Sequence, residues 1–231
     1  MTDFSYNVVW CNNLLKVKGD TEGLQELCNL IESSRSKFDF DKVIPYPSLY
    51  KEMDFNKPDK SNQDEVLAYS EKYSFDNVKD RLLEIYSEKN YESLTDIMMK
   101  YIEDTWIVGA DGFNNGGLEW CILNWGTQWY CDESDIITFK LEDDYLLIEF
   151  KTAWSSPKYA VEHLASMFPK LMFELIFEDL DEGTAGDIFY VDGKIASRET
   201  YSVYSTDNGD YIPFQGYKNF HDKDAYDLTN F

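Results

Sequence analysis

Apolar residues along the chain alternate in some stretches and recur every three or four positions in others, and each change of period marks an element. Val8 to Lys18 (VVWCNNLLKVK) reads as a strand ended by Gly19-Asp20. Leu24, Leu27, Cys28, Leu30 and Ile31 then form a helical stripe that Thr21 is placed to cap. Phe38 to Pro45 alternates again and stops at a Pro-Tyr-Pro turn, which predicts a second strand that pairs at an edge or ends at the proline.

From Ser48 to about Ile107 the chain is polar and helix-forming, with no strand signal. Helical stripes recur at Val66, Leu67 and Tyr73, at Phe75, Val78, Leu82, Ile85 and Tyr86, and at Leu94, Ile97, Met98, Tyr101 and Ile102. Ser93 with Asp96 three residues on opens the last of these. This predicts a helical insertion at about residues 48–108. Gly109 to Gly117 (GADGFNNGG) is a return loop: it lacks phosphate-cradling glycine spacing, and Phe113 stands where a calcium loop needs an oxygen ligand.

Glu119 to Pro157 holds Trp120, Trp125, Trp129 and Trp154 and supplies the middle of one core. Within it, Ile136–Phe139 and Tyr145–Phe150 flank acidic Glu142-Asp143-Asp144, the pattern of a β-hairpin. Ser155-Ser156-Pro157 then reads as a serine cap and first-turn proline for a helix with Ala160, Val161, Leu164, Met167 and Phe168 on its inner face. Leu171 to Phe177 alternates as a half-exposed strand. Asp187 to Ile195 carries the Asp-Gly turn of a hairpin, and Glu199 to Val203 adds a short strand. Residues 1–204 thus form one domain with the helical insertion, and residues 205–231 an acidic, tyrosine-rich tail with room for at most one more strand.

Charge changes the functional picture most. The 231 residues hold 44 Asp and Glu against 21 Lys and Arg, a formal net charge of −23. Phosphate backbones and anionic membranes repel such a chain, so direct nucleic-acid or membrane binding is disfavoured. Imitating a polyanion is the sharper reading, and magnitudes constrain it. A folded chain of this size exposes roughly 11,000 Å², about 470 Å² per net charge, whereas a DNA duplex presents about 110 Å² per charge. Mimicry therefore requires the acids to gather on one face. Cys11, Cys28, Cys121 and Cys131 lie in or beside apolar runs without metal-ligand spacing, which suits buried, reduced thiols, and the start MTDFSYNVVWC has no basic leader. A cytoplasmic protein without cofactor or metal is expected.

Together the landmarks WCNNLLKVKG, FDKVIPYP, WCILNWGTQW, FKTAWSSP and FELIFED resemble the YubB-type ferredoxin-like domain family of plasmid and phage proteins. Gln128 departs conservatively from the family's NWGTKW motif, and Val8-Val9 replace its Pro-Asn. The resemblance implies an α+β, ferredoxin-like β-α-β-β-α-β sheet with helices on one face. It implies no reaction and carries over no catalytic residue.

Two candidate sites follow from the residues. Asn124, Trp125, Thr127, Trp129 and Trp154 are candidates to line a small-molecule pocket, against the plainer reading that they hold a turn and fill the core. Glu142, Asp143 and Asp144 in the hairpin turn, with Glu178, Asp179, Asp181 and Glu182 closing the following strand, are candidates for one acidic rim that docks on a basic protein. Neither His163 nor His221 stands in an acid–base or zinc motif. The ferredoxin-like fold also hosts RNA-recognition modules, but the basic Gly-Phe signature is missing and the charge opposes it. The expected function is a non-enzymatic acidic binding protein of a mobile element, an anti-CRISPR or anti-restriction inhibitor covering the basic surface of a host nuclease. The alternative is a small-molecule-binding or enzymatic protein using the tryptophan-lined region.

Overall fold

A computed structural model describes residues 8–87, 92–179, 183–205 and 211–213. In chain order the elements are β1 (Trp10–Lys18), α1 (Thr21–Ile31), α2 (Phe40–Val43), α3 (Ser48–Phe55), α4 (Gln63–Lys72), α5 (Phe75–Ser87), α6 (Glu92–Thr105) and α7 (Gly117–Asn124). Then come β2 (Ile136–Leu141), β3 (Tyr145–Ala153), α8 (Lys158–Met167), β4 (Met172–Asp179), β5 (Thr184–Val191), β6 (Lys194–Ser205) and β7 (Tyr211–Pro213). The chain forms two compact units, Tyr46–Trp120 and the remainder.

The sheet unit is ferredoxin-like. Its strands run β2-β3-β1-β4-β5-β6-β7, each antiparallel to its neighbours. The first four, with α1 and α8 at the crossovers, make the β-α-β-β-α-β pattern, and β5 to β7 extend it beyond β4. The core lies on the helical face. Leu15, Val17, Phe150, Phe173, Leu175, Ile188 and Tyr190 face it and are buried, and α1 adds Leu24, Leu27, Cys28 and Ile31. Phe38 meets Phe150 edge-on at 5.1 Å and Phe40 packs on Trp125 at 6.0 Å.

Several local expectations change. Phe38 to Pro45 is no strand: α2 forms instead, because Asp39 accepts from the Asp41 N–H and Phe40 and Val43, three apart, both turn into the core. β1 already has β3 and β4 on its two sides, so its hydrogen bonds are taken. Asp20, not Thr21, caps α1 by accepting from Gly23 N at 2.7 Å. Pro157 stands at the cap of α8 with no side-chain bond, and Ser155 serves another partner. The glycine-rich return segment holds a single 3-10 turn at Phe113–Asn115 and leads into α7.

The hairpin β5–β6 turns on Asp192 (φ 53°) and Gly193 (φ 72°), the left-handed pair that a two-residue turn of this twist requires. In the helical unit Glu52 accepts from Tyr73 at 2.7 Å and pairs with Lys72 at 3.0 Å and Arg81 at 3.2 Å. The 3-10 turn is tied down by Asp111 and Asp54, which accept from Asn114 N and Phe113 N, each at 3.0 Å. Those carboxylates serve the backbone, which accounts for a glycine-rich loop without a ligand motif.

Candidate partner-binding site

The two tryptophan motifs meet as a structural latch. Trp125 is 1 % exposed and its indole N–H donates to Ile44 O at 2.9 Å. Buried Thr127 donates to Ala153 O at 2.8 Å, and Ser155 Oγ donates to Gly126 O at 2.6 Å. Ala160 N donates to Trp125 O, joining α8 to the same turn. Behind it, Asn13 Nδ2 donates to Thr152 Oγ1 at 2.8 Å, and Thr152 in turn donates to Ser155 O. Asn124 is buried beside this turn, and Trp129 and Trp154 are half-buried. Three bonds join the two motifs directly, and those from Trp125 to Ile44 and from Asn13 to Thr152 tie them to the neighbouring chain. Trp154 has φ 69°, a left-handed conformation that a bulky residue keeps only when its surroundings enforce it, and its N–H donates to Val9 O.

Residues 124–208, from the latch to β6, match the model of a ferredoxin-like domain in Api92-like protein. A crystal structure of a protein api92 from Yersinia pseudotuberculosis is similar at 11% identity and a TM-score of 0.44, covering 86% of this chain and 100% of its own. No curated protein sequence matches. The matched segment contains β2, β3, α8, β4, β5 and β6, so the ferredoxin-like reading rests on sequence as well as on strand order.

The acidic residues do not form the single rim that the sequence suggested. Glu142, Asp143 and Asp144 are exposed in the β2–β3 turn, level with Lys18 at the end of β1. Glu178 pairs with Asn12 near the other end of β1, about 20 Å away at the rise of a strand. Glu178 and Asp179 are moreover buried, at 4 % and 5 % exposure, so they offer little to a partner. Asp181 and Glu182 lie outside the described residues. Cys11, near them across the β1–β4 pairing, has its thiol pushed well up by burial and by the charges of Asp179 and Glu178. Burial also withholds that thiol from solvent. All four cysteines are free and buried.

A different cluster does assemble. Asp143 O accepts from Thr21 Oγ1 at 2.7 Å and Asp144 O accepts from Gly19 N at 3.1 Å, which seats the hairpin turn against the start of α1. Asp20, Glu22 and Glu26 on that helix are exposed. They border a groove of about 330 Å³ whose other wall is Met167, Phe168, Pro169, Lys170 and Leu171. One side of this groove is thus carboxylate and the other apolar apart from Lys170. A lysine or arginine side chain has the matching form, an aliphatic stem with a cationic head. Sequence reasoning missed Asp20, Glu22 and Glu26. Their acidity was visible, but their neighbourhood depends on a hydrogen bond spanning 122 positions. Among the described residues no group of three or more His, Cys, Asp or Glu is arranged to hold a metal ion, and no helix is long and apolar enough to cross a membrane.

Proposed function

We propose that the chain is a non-enzymatic binding protein that docks on a basic protein surface through Asp20, Glu22, Glu26 and the turn Glu142–Asp144. The observation that carries this reading is the pair of bonds from Thr21 and Gly19 to the β2–β3 turn, which holds the acidic turn against the start of α1, the helix whose Asp20, Glu22 and Glu26 line the groove. Local gathering is what the charge arithmetic demanded, because the average surface density falls well below that of a duplex. A cationic partner side chain lays its stem on Met167 and Phe168 and its head against the acids. With the resemblance to plasmid and phage proteins, the partner class is a nucleic-acid-binding defence protein of the bacterial host, covered on its basic surface.

The tryptophan latch supports no second reading, since Trp125 and Thr127 use their polar atoms on backbone carbonyls. An arginine-rich peptide titrated by calorimetry tests the site directly. Binding that weakens steeply with salt and falls at least several-fold in Glu22→Lys/Glu26→Lys and in Asp143→Lys/Asp144→Lys supports it. Equal affinity in both variants overturns it. The biological partner is sought by capture from nuclease-treated bacterial lysate with salt elution, followed by competition between that protein and nucleic acid.

A further inference from the structure

Strand β2 stands at one edge of the sheet, and β3 is its only strand neighbour among the described residues. In an antiparallel ladder successive residues turn their main-chain groups to alternate sides. Glu142 N donates to Tyr145 O at 2.9 Å, so Lys140 and Thr138, two and four residues back, point their N–H and C=O groups at β3. Phe139 and Leu141 therefore direct theirs away from the sheet, where no described strand meets them. A bulge between Ile136 and Thr138 ends the regular part, which leaves an open edge of about 13 Å. Ile137 and Leu141 are exposed along it, at 54 % and 38 %. Acids stand at both ends: Asp132, Glu133 and Asp135 before the strand, and Glu142, Asp143 and Asp144 after it. Lys140, the one cation in that stretch of sequence, is held by Glu142 at 3.1 Å and donates to the Tyr145 hydroxyl at 2.5 Å.

We propose that this edge takes a short extended segment of a basic protein as an added antiparallel strand. The contact rests on the basic partner proposed above and uses the sheet edge, not the groove beside α1. The outward N–H and C=O groups of Phe139 and Leu141 are two donors and two acceptors at ladder spacing, which an extended backbone of any sequence can meet. Charge selects the occupant. A segment with lysine or arginine at both ends of a few alternating apolar residues sets its cations against the two acidic ends, about 20 Å apart, and lays its apolar side chains beside Ile137 and Leu141. A second copy of this chain does not fit. Paired antiparallel, its turn Glu142–Asp144 would meet residues 132–135 of the first copy, and paired parallel each acidic end would meet its counterpart. A bulge and charged flanks are also how edge strands avoid joining sheet to sheet, and a peptide strand of four or five residues needs no longer edge than this one.

The test uses the full chain and an end-capped peptide, KRVTVTVRK, in three forms: unmodified, N-methylated on its valines, or N-methylated on its threonines. The two methylated forms keep charge and side chains and each blocks one edge of the peptide strand. Amide hydrogen exchange at Phe139 and Leu141 is expected to slow at least several-fold when the unmodified peptide binds. One methylated form, the one whose blocked edge faces β2, is expected to bind roughly tenfold or more weakly than the other, because it forfeits the ladder bonds. No binding, equal affinity for the two methylated forms, or unchanged exchange at those two amides overturns the proposal. Glu22→Lys/Glu26→Lys separates this contact from the groove. Binding that survives in that variant with Phe139 and Leu141 still protected supports the edge even where the groove fails. Binding lost there, with neither amide protected in the wild type, upholds the groove and overturns the edge.

Discussion

At the scale of single residues, the latch concentrates the consequences of substitution. Gly126 has φ 91°, and a Cβ there would stand 2.9 Å from Ser156 O and 3.0 Å from Lys158 N, both backbone atoms. Gly126→Ala is therefore expected to cost roughly 2 kcal/mol or more, from left-handed strain and the collision together, measured by urea unfolding. Trp125→Phe keeps most of the ring but strands Ile44 O, which predicts a loss of about 1–3 kcal/mol in the same assay. Glu52 gives a pH prediction. Its hydrogen bond from Tyr73, with Lys72 and Arg81, holds its pKa at about 2, below the ordinary 4.5. The folded value is depressed, so the stabilisation is present above pH 4.5 and is lost as pH falls toward 2. The melting temperatures of wild type and Glu52→Gln should differ at pH 5 and converge by pH 2. The gap stays small because the group is partly exposed and screened.

At the scale of elements, β1 shows how a central strand makes two cores. Its odd-numbered side chains Cys11, Asn13, Leu15 and Val17 face the helices, and its even-numbered ones face the opposite side of the sheet. The Lys16–Glu174 pair links β1 to β4 on that second face. Glu174→Ala is expected to destabilise by about 3–5 kcal/mol, since it leaves an ammonium buried and unpaired, while Lys16→Met/Glu174→Leu should come close to wild type. Denaturant midpoints of the two variants check this. A double variant as damaged as the single one would show that the pair is specifically required rather than tolerated. The element readings that succeeded were those with long periodic patterns: the two hairpins, α1, α8 and the helices of the insertion. The expected strand at Phe38–Pro45 failed because four or five alternating residues fit a short capped helix equally well.

At the scale of the whole molecule, a net charge of −23 means that self-repulsion opposes compactness. Added sodium chloride between about 0.02 and 0.5 M is expected to raise the melting temperature by screening it. The same salt weakens binding to a basic partner. Opposite responses of stability and affinity to one salt titration would separate these two effects of the acidity. If salt leaves stability unchanged, the charges are already compensated locally, as Glu52 is in the helical unit.

By itself the sequence determined the α+β class, the helical character of the insertion and the acidity, because each is written in periodicity or composition that acts over short range; the ferredoxin-like order was implied only by the resemblance its motifs carry, since periodicity placed the second strand at Phe38–Pro45, where α2 forms. The tertiary structure decided which faces those elements present. It buried Glu178 and Asp179 by placing them on a strand flanked by β1 and β5. It turned the tryptophans into a latch whose polar atoms meet backbone carbonyls distant in sequence. And it brought the acidic hairpin turn to α1 through Thr21 and Gly19, and set Asp20, Glu22 and Glu26 across a groove from Met167 to Leu171, placements that no local pattern encodes. Period along a chain shows which side chains share a face; what that face meets is fixed only when strands distant in sequence take their register.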